Sequence, residues 1–174
     1  MTPALAVQRR NIVLIGMPGS GKSTVGVLLA KRTARAFVDT DLVIQAAHGQ
    51  GLDDIIRQHG HLGFRRIERR TICALTCDNT VIATGGSVPY SQRAMHHLMT
   101  GGVVVFLDVP LAELSARIGD MDRRGVSRRP GQTLADLNRE RRPLYRQYAQ
   151  VTVDCGRSGQ EAVAGQVIRR LQDF

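Results

Sequence analysis

The feature that most constrains the fold is an eight-residue segment near the amino terminus. Residues 16–23 read GMPGSGKS and match G-x-x-x-x-G-K-[ST] at every fixed position. An apolar run, NIVLI, precedes the segment, and a helical pattern with Val25, Leu28 and Leu29 on one face follows it. A strand, a glycine-rich turn and a helix in this order predict a phosphate-binding loop, or P-loop, rather than a chance glycine-rich turn.

The residue types of this loop explain its chemistry. Glycines let the backbone curve around a phosphate without Cβ clashes, and N–H groups at a helix N-terminus point at the anion. Lys22 is expected to reach the outer phosphates, and the Ser23 hydroxyl can bind Mg²⁺. The motif therefore predicts a nucleoside triphosphate and Mg²⁺ as ligands. The predicted nucleotide-binding residues of the loop are Gly16, Pro18, Gly19, Ser20, Gly21, Lys22, Ser23 and Thr24.

Further apolar runs predict strands at residues 36–39, 80–84, 103–107 and 151–154, separated by helix-length segments. Because these runs do not alternate, they indicate a parallel sheet that is covered on both faces. The predicted fold is a doubly wound α/β domain over residues 1–174 with a five-stranded parallel sheet. It is of the P-loop NTPase type found in nucleoside monophosphate kinases, which bind ligands at the carboxyl ends of the strands.

Residues 119–132, GDMDRRGVSRRPGQ, contain three glycines, four arginines and almost no apolar side chains. Such a segment has little apolar surface with which to offset the entropy of ordering. We predict that it is a mobile lid, and its arginines indicate that it closes over an anion.

Two polar clusters follow predicted strands or lie on the helical region 41–76, which is the expected substrate-binding region. Asp39 and Asp41 of DTD could hold the hydration shell of Mg²⁺ and accept a hydroxyl proton, or could cap a helix. Arg65 and Glu68 of FRRIE are i, i+3 neighbours. Arg65, steered by Glu68, could bind a substrate carboxylate through two hydrogen bonds, or the two residues could form a surface ion pair of little energetic value.

Two more clusters complete the set. The TGG turn at residues 84–86 follows the third strand and allows close backbone approach to a ligand, or is a plain turn. The run RRPLY at residues 141–145 contains Pro143, which predicts a break in the helix, with one of the arginines turned inward.

The net charge of +9 is compatible with nucleic acid or with an anionic small molecule as the partner. The arginines are scattered, and aromatic residues that could stack on bases make up only 4% of the chain, so we expect a small molecule and no nucleic acid. No apolar run is long enough to span a membrane, and the amino terminus has no signal-peptide pattern. We therefore expect a cytoplasmic protein without a membrane partner, and a monomer.

In their order along the chain, the P-loop, DTD, FRRIE, the TGG turn, a basic segment with Arg-Pro, and RRPLY resemble the shikimate kinase family. The resemblance extends over essentially the whole chain from Asn11. It implies transfer of phosphate from ATP to the 3-hydroxyl of shikimate, with Mg²⁺, in aromatic amino acid biosynthesis.

The resemblance also implies roles for individual residues. Lys22 and Ser23 bind the triphosphate and its metal, with Asp39 supporting the metal. Asp41 holds the acceptor hydroxyl as the candidate base. Arg65, organised by Glu68, and Arg141 bind the substrate carboxylate. Gly85 and Gly86 contact the substrate through their backbone. Arg129 contacts the transferring phosphate.

Three departures from the family pattern bear on the acceptor. Ser87 stands where the turn usually has a third glycine, and the lid lacks apolar residues after Arg129-Pro130. The position of the adenine-stacking arginine falls on Asp122, so Arg123 or Arg124 would have to replace it.

Three kinds of alternative function remain. One is a kinase for another hydroxy acid, as in gluconate kinases; a nucleoside monophosphate kinase is disfavoured because FRRIE and RRPLY leave no base-recognition signal. The second is a P-loop protein that holds ATP without transferring phosphate, against which the intact Lys22, Ser23 and Asp41 count. The third is a nucleic-acid-binding P-loop protein.

Overall fold

The computed structural model describes residues 10–119, 121–122, 124–156 and 158–172. Its sheet has five parallel strands in the order β2-β3-β1-β4-β5. The strands are β1 (Asn11–Ile15), β2 (Ala36–Asp39), β3 (Thr80–Ala83), β4 (Gly102–Asp108) and β5 (Val151–Asp154). Each predicted strand is found within one residue of its expected bounds, and the predicted doubly wound fold is confirmed.

Helices connect the strands and cover the sheet. They are α1 (Lys22–Thr33), α2 (Thr40–His48), α3 (Leu52–Ala74), α4 (Gln92–Gly101), α5 (Leu111–Ile118), α6 (Leu134–Tyr148) and α7 (Gln160–Gln172), with a short 3₁₀ helix at Val88–Tyr90. No helix in the described ranges is both long and apolar enough to cross a membrane.

Strand burial follows position in the sheet. Every residue of β1 and β3 is buried, and β4 is buried up to Asp108, because these strands have neighbours on both sides and helices on both faces. The edge strand β5 alternates between buried and exposed residues, and β2 is partly exposed. The expected absence of alternation therefore describes the inner strands correctly. It does not describe the edge strand β5, in which burial alternates from residue to residue.

The strand order creates a crevice at the carboxyl end of β1. From β1 the chain crosses to β2 at one edge, returns to β3 beside β1, and then continues to β4 on the other side of β1. The loops that follow β1 and β3 therefore meet at the point where the winding direction changes, which is where open α/β sheets bind ligands.

The predicted break at RRPLY is wrong, because α6 runs from Leu134 to Tyr148 with Pro143 inside it. Proline removes the N–H that would bond to the carbonyl four residues earlier, on Arg139. Pro143 and Arg139 are both exposed, so this face of the helix is open to water. The helix can then continue and carry Arg141 and Tyr145 into the protein.

The segment 119–132 contains more buried residues than its composition indicates. Val126 is 6% exposed and belongs to the main core cluster, and Ser127 and Gln132 are also buried. One valine is enough to anchor the middle of the segment. Asp120 and Arg123 lie outside the described residues. Whether the segment moves stays a prediction.

Candidate active site

The P-loop joins β1 to α1, and its glycines have backbone angles that other residues rarely adopt. Gly19 has a φ of 81°, and a Cβ at this position would lie 2.7 Å from Ile118 Cγ1. Gly16 has a φ of 151°, and a Cβ there would lie 2.9 Å from the carbonyl oxygen of Leu107. Any larger residue would be strained and would collide with the neighbouring element, so the tight curve of the loop requires glycine.

Lys22 turns back into this curve. Its Nζ donates to the carbonyl oxygens of Gly16 (2.9 Å) and Met17 (2.8 Å) and, at 3.3 Å, to Ser20 Oγ. Burial lowers the pKa of Lys22 to about 8, although the charges of Asp41 and Asp39 oppose this shift. The loop thus holds a desolvated cation at its centre, where an anionic phosphate would interact with it strongly.

Asp39 ends β2 and serves two purposes. Its Oδ1 accepts from the backbone N of Asp41 (3.0 Å), which makes it the N-cap of α2, and its Oδ2 accepts from Ser23 Oγ at 2.6 Å. The capping and the metal-binding interpretations of DTD are therefore compatible. A hydroxyl and a carboxylate in contact on an exposed surface form the hard oxygen donor set that suits a partly hydrated Mg²⁺.

Asp41 lies in the first turn of α2 rather than on the strand, and it lines the same cavity as Lys22. Its Oδ1 is buried and has no hydrogen-bond partner. Burial, followed by the charge of Asp39, raises the pKa of Asp41 to about 6, while Lys22 acts in the opposite direction. A carboxylate with a free oxygen and a pKa just below neutrality is suited to hold a hydroxyl and accept its proton.

Glu68 on α3 is 2% exposed, and its partner is Ser87. Ser87 Oγ donates to Glu68 Oε2 at 2.6 Å, while Oε1 has no partner. Burial raises the pKa of Glu68 to about 8; the Ser87 bond lowers it, and the charge of Asp41 raises it further. The expected pairing of Glu68 with Arg65 is wrong: no hydrogen bond or ion pair joins these two described residues, because each has another partner.

Gly85 allows the carboxylates of α2 and α3 to converge beside the TGG turn. A Cβ on Gly85 would clash with Glu68 Oε1 and would lie 2.8 Å from Asp41 Oδ1. A Cβ on Gly86 would lie 3.1 Å from Arg141 Nη1. The two glycines therefore permit the close approach of charged side chains.

Ser87 has no conformational need for glycine, because its φ is −97°. Its hydroxyl points to Glu68, and its residue borders the cavity.

A cavity of about 560 Å³ connects these groups. Its floor is the P-loop on one side and the TGG turn on the other, and Val126 and Ser127 of the 119–132 segment close part of it. The lining includes these predicted site residues: Pro18, Gly19, Gly21, Lys22, Ser23, Thr24, Asp41, Gly85, Gly86 and Arg141. The fold thus brings residues from five separate sequence segments to one space.

Arg141 is the inward-facing arginine of RRPLY and is 1% exposed. Its Nη2 donates to the carbonyl of Ser127, and its Nε donates to Tyr90 Oη at 3.4 Å. Arg65 also contacts Tyr90, with its Cζ 3.5 Å from the ring centroid, and borders a smaller pocket of about 190 Å³ that is also lined by Ser87. The two predicted carboxylate-binding arginines therefore share a tyrosine ring, but only Arg141 lines the main cavity.

Arg129 does not reach the cavity. Its Nη2 pairs with Glu140 Oε2 at 2.6 Å, and its side chain is 63% exposed in a surface pocket beside Gln132. The same Glu140 oxygen accepts from Gln132 Nε2 at 2.7 Å. In this conformation Arg129 is paired with Glu140 on α6, and its contact with the transferring phosphate stays a prediction.

Sequence reasoning missed two residues near the P-loop and one beside the arginines. Arg117 lines the cavity, and so does Gln160 from the start of α7. Arg117 lies in the last turn of α5, just before the predicted lid, and this position was an available signal for a nucleotide contact. Of the two arginines proposed to stack on adenine, Arg124 borders the cavity and Arg123 lies outside the described residues. Tyr90 carried no signal, because a tyrosine in a turn is usually a packing residue.

Comparisons with known proteins agree with this arrangement. The sequence model of the shikimate kinase family matches residues 18–172. A shikimate kinase of Aromatoleum aromaticum is 38% identical over 166 residues, covering 94% of this chain and 95% of that protein. One of Nitrosococcus oceani is 36% identical over 167 residues, covering 94% and 88%.

Solved structures show the same likeness. The shikimate kinase from Acinetobacter baumannii in complex with shikimate has a TM-score of 0.88 and 30% identity, with 98% of each chain covered. A gluconokinase from Sinorhizobium meliloti has a TM-score of 0.52 at 19% identity, covering 94% of this chain and 92% of that one, which shows a shared fold alone.

Proposed function

The chain belongs to the shikimate kinase family, and on that premise we propose that it transfers the γ-phosphoryl group of ATP to the 3-hydroxyl of shikimate. The products are shikimate 3-phosphate and ADP, and the reaction is a step of aromatic amino acid biosynthesis. The observation that carries the proposal is one cavity of about 560 Å³ whose walls hold both Lys22 of the P-loop and the acceptor-side groups Asp41 and Arg141.

ATP would bind with its phosphates on the P-loop. The backbone N–H groups of the P-loop and the N-terminus of α1 favour an anion. Lys22 would exchange its hydrogen bonds to backbone carbonyls for contacts with the outer phosphates. Ser23 and Asp39 would hold Mg²⁺, which neutralises charge on the phosphates during transfer. Arg117 is the described side chain we propose for contact with the adenine side of the nucleotide, because it borders the cavity beside Gly19.

Shikimate would bind between Asp41 and Arg141. The free Oδ1 of Asp41 would accept a hydrogen bond from the 3-hydroxyl, and this bond would orient the hydroxyl oxygen toward the γ-phosphate. Asp41 would then receive the hydroxyl proton. Arg141 and Arg65 would bind the carboxylate at the other end of the acceptor. Gly85 and Gly86 would contact the ring of shikimate through their backbone, since neither has a side chain that would hold the ring at a distance.

Arg129 would contribute only after a movement. Its ion pair with Glu140 must open before the guanidinium can stabilise charge on the transferring phosphate. The pair is largely exposed, so little free energy holds it closed. We propose that binding of both substrates draws the 119–132 segment over the cavity and exchanges Glu140 for phosphate.

The test is ADP release coupled to a spectroscopic readout, with shikimate, gluconate and a shikimate analogue without its carboxylate as acceptors. Of the three acceptors, we expect only shikimate to give rapid Mg²⁺-dependent ADP release. Rapid turnover of gluconate with none of shikimate would contradict the proposal and favour another hydroxy-acid kinase.

We also propose that the enzyme is a cytoplasmic monomer that does not bind nucleic acid. Sedimentation would test the oligomeric state, and salt-dependent retention on DNA would test nucleic-acid binding.

A further inference from the structure

Tyr90 contacts both of the arginines proposed to bind the acceptor carboxylate. It is part of the short 3₁₀ helix that follows the TGG turn, and it is half-buried. Arg65 Cζ lies 3.5 Å from the centroid of its ring, and Arg141 Cζ lies 5.4 Å from it. Both guanidinium groups are within the roughly 6 Å over which an aromatic ring attracts a cation.

The phenolic oxygen fixes the orientation of this ring. It accepts from Arg141 Nε at 3.4 Å and donates to Glu140 Oε1 at 2.6 Å. Glu140 is itself held through its other oxygen by Gln132 Nε2 at 2.7 Å. These hydrogen bonds hold the end of the side chain in place, so the ring cannot swing away from Arg65 without breaking them.

The way Arg65 is held contrasts with that of an ordinary ion-paired arginine. Arg142 donates three hydrogen bonds to the carboxylate of Asp108, at 2.8 to 3.3 Å, so its charge is already neutralised. Among the described residues no carboxylate forms a hydrogen bond or ion pair with Arg65, because Glu68 accepts from Ser87 instead, and Arg65 Nε has no hydrogen-bond partner. The charges of Glu140 and Glu68 act on Arg65 only from a distance.

A neutral ring can orient a cation without neutralising it. A stacked guanidinium keeps its charge and its in-plane N–H donors for a ligand, whereas a carboxylate partner would compete with the ligand for both.

We propose that Tyr90 is a positioning residue for the acceptor carboxylate, which orients Arg65 by stacking and Arg141 by a hydrogen bond, in the place where an Arg65–Glu68 ion pair was expected. The proposal rests on the proposed function, because it needs an acceptor that carries a carboxylate. Tyr90 acts through the two arginines and makes no contact with the reacting atoms.

Steady-state kinetics of three variants test this role. Tyr90→Leu removes ring and hydroxyl, and we expect the KM for shikimate to rise about tenfold with the KM for ATP within twofold of the wild type. Tyr90→Phe keeps the ring and should raise the KM for shikimate only about threefold. Tyr148→Leu, a partly buried tyrosine outside the cavity, is the matched control and should change neither KM.

A second background separates positioning from general packing. In Arg65→Ala enzyme, most of the effect of Tyr90→Leu on the KM for shikimate should disappear, because the ring would have no Arg65 left to orient. The same fold-rise in both backgrounds would overturn the proposal, as would an equal rise in both KM values from Tyr90→Leu. If Tyr90→Leu lost cooperative thermal unfolding, Tyr90→Met would be judged by the same criteria. A wild type that ignores shikimate would instead refute the proposed function.

Discussion

The two sides of the cavity are built in different ways. The phosphate-binding part of the nucleotide side is one continuous segment, residues 16–23, in which backbone groups and one lysine surround the phosphate position. The acceptor side is assembled from side chains on α2, α3, α6 and the turn after β3, and its charged groups choose among several partners. The nucleotide side therefore depends on local geometry, and the acceptor side depends on long-range packing.

Loss of Lys22 should have the largest effect and should be independent of the acceptor. We expect Lys22→Ala to lower kcat about 10³-fold, because this cation stabilises charge on the transferring group. Lys31→Ala, at the exposed end of α1, is the control and should keep full activity. The measurement is kcat together with the melting temperature, and a folded Lys22→Ala enzyme with near wild-type kcat would contradict the role given to the P-loop.

Asp41→Asn should lower kcat about 10²-fold while the KM for ATP stays near its wild-type value. The amide keeps the shape of the side chain but cannot accept the hydroxyl proton as a carboxylate does. Steady-state kinetics with both substrates varied measures the effect. If the KM for ATP rose while kcat held, Asp41 would belong to the nucleotide side and the division between the two sides would fail.

Arg65→Lys should affect only the acceptor side. We expect the KM for shikimate to rise about tenfold, since lysine lacks the planar fork that binds a carboxylate through two hydrogen bonds. Its neighbour Arg66 is exposed, so Arg66→Lys is the control. The analogue without a carboxylate sharpens the result, because wild type and Arg65→Lys should use it equally well. An Arg65→Lys enzyme that lost the same fraction of activity with both acceptors would refute a carboxylate contact.

The last prediction concerns stability rather than catalysis, namely the pH dependence of unfolding in the substrate-free protein. Burial keeps Glu68 protonated in the folded state up to a pKa of about 8, against an ordinary value of 4.5. Between these pH values unfolding releases a proton, so the stability contribution of Glu68 falls as pH rises, by at most about 1.4 kcal/mol per pH unit.

Glu68→Gln should remove this dependence and keep the bond from Ser87. Thermal melting of both proteins from pH 5 to pH 8 provides the measurement. We expect the wild type to lose stability relative to Glu68→Gln as pH rises, whereas parallel curves would show that Glu68 is already ionised in the folded protein. If the stability difference between Lys22→Ala and the wild type did not change with pH over this range, the pH dependence would be restricted to the acceptor side.

Residues close together in sequence were predicted well on both sides. The strand bounds, the P-loop and the inward turn of one arginine in RRPLY agree with the structure, because apolar runs and glycine positions act over a few residues. The break at Pro143 was wrong because an exposed helix face can lose one hydrogen bond to water. The Arg65–Glu68 pair was wrong because i, i+3 spacing makes a contact available, and Ser87 from a different element formed a closer one with Glu68.

The amino-acid sequence by itself determined the parallel sheet, the P-loop and the type of residue at each acceptor position. Only the tertiary structure decided which charged groups meet: Glu68 with Ser87, Arg65 with the ring of Tyr90, and Arg129 with Glu140. The physical reason is that a glycine-rich loop specifies its own backbone, whereas a long charged side chain reaches several partners. Which partner it takes depends on how residues far apart in the chain are packed around it.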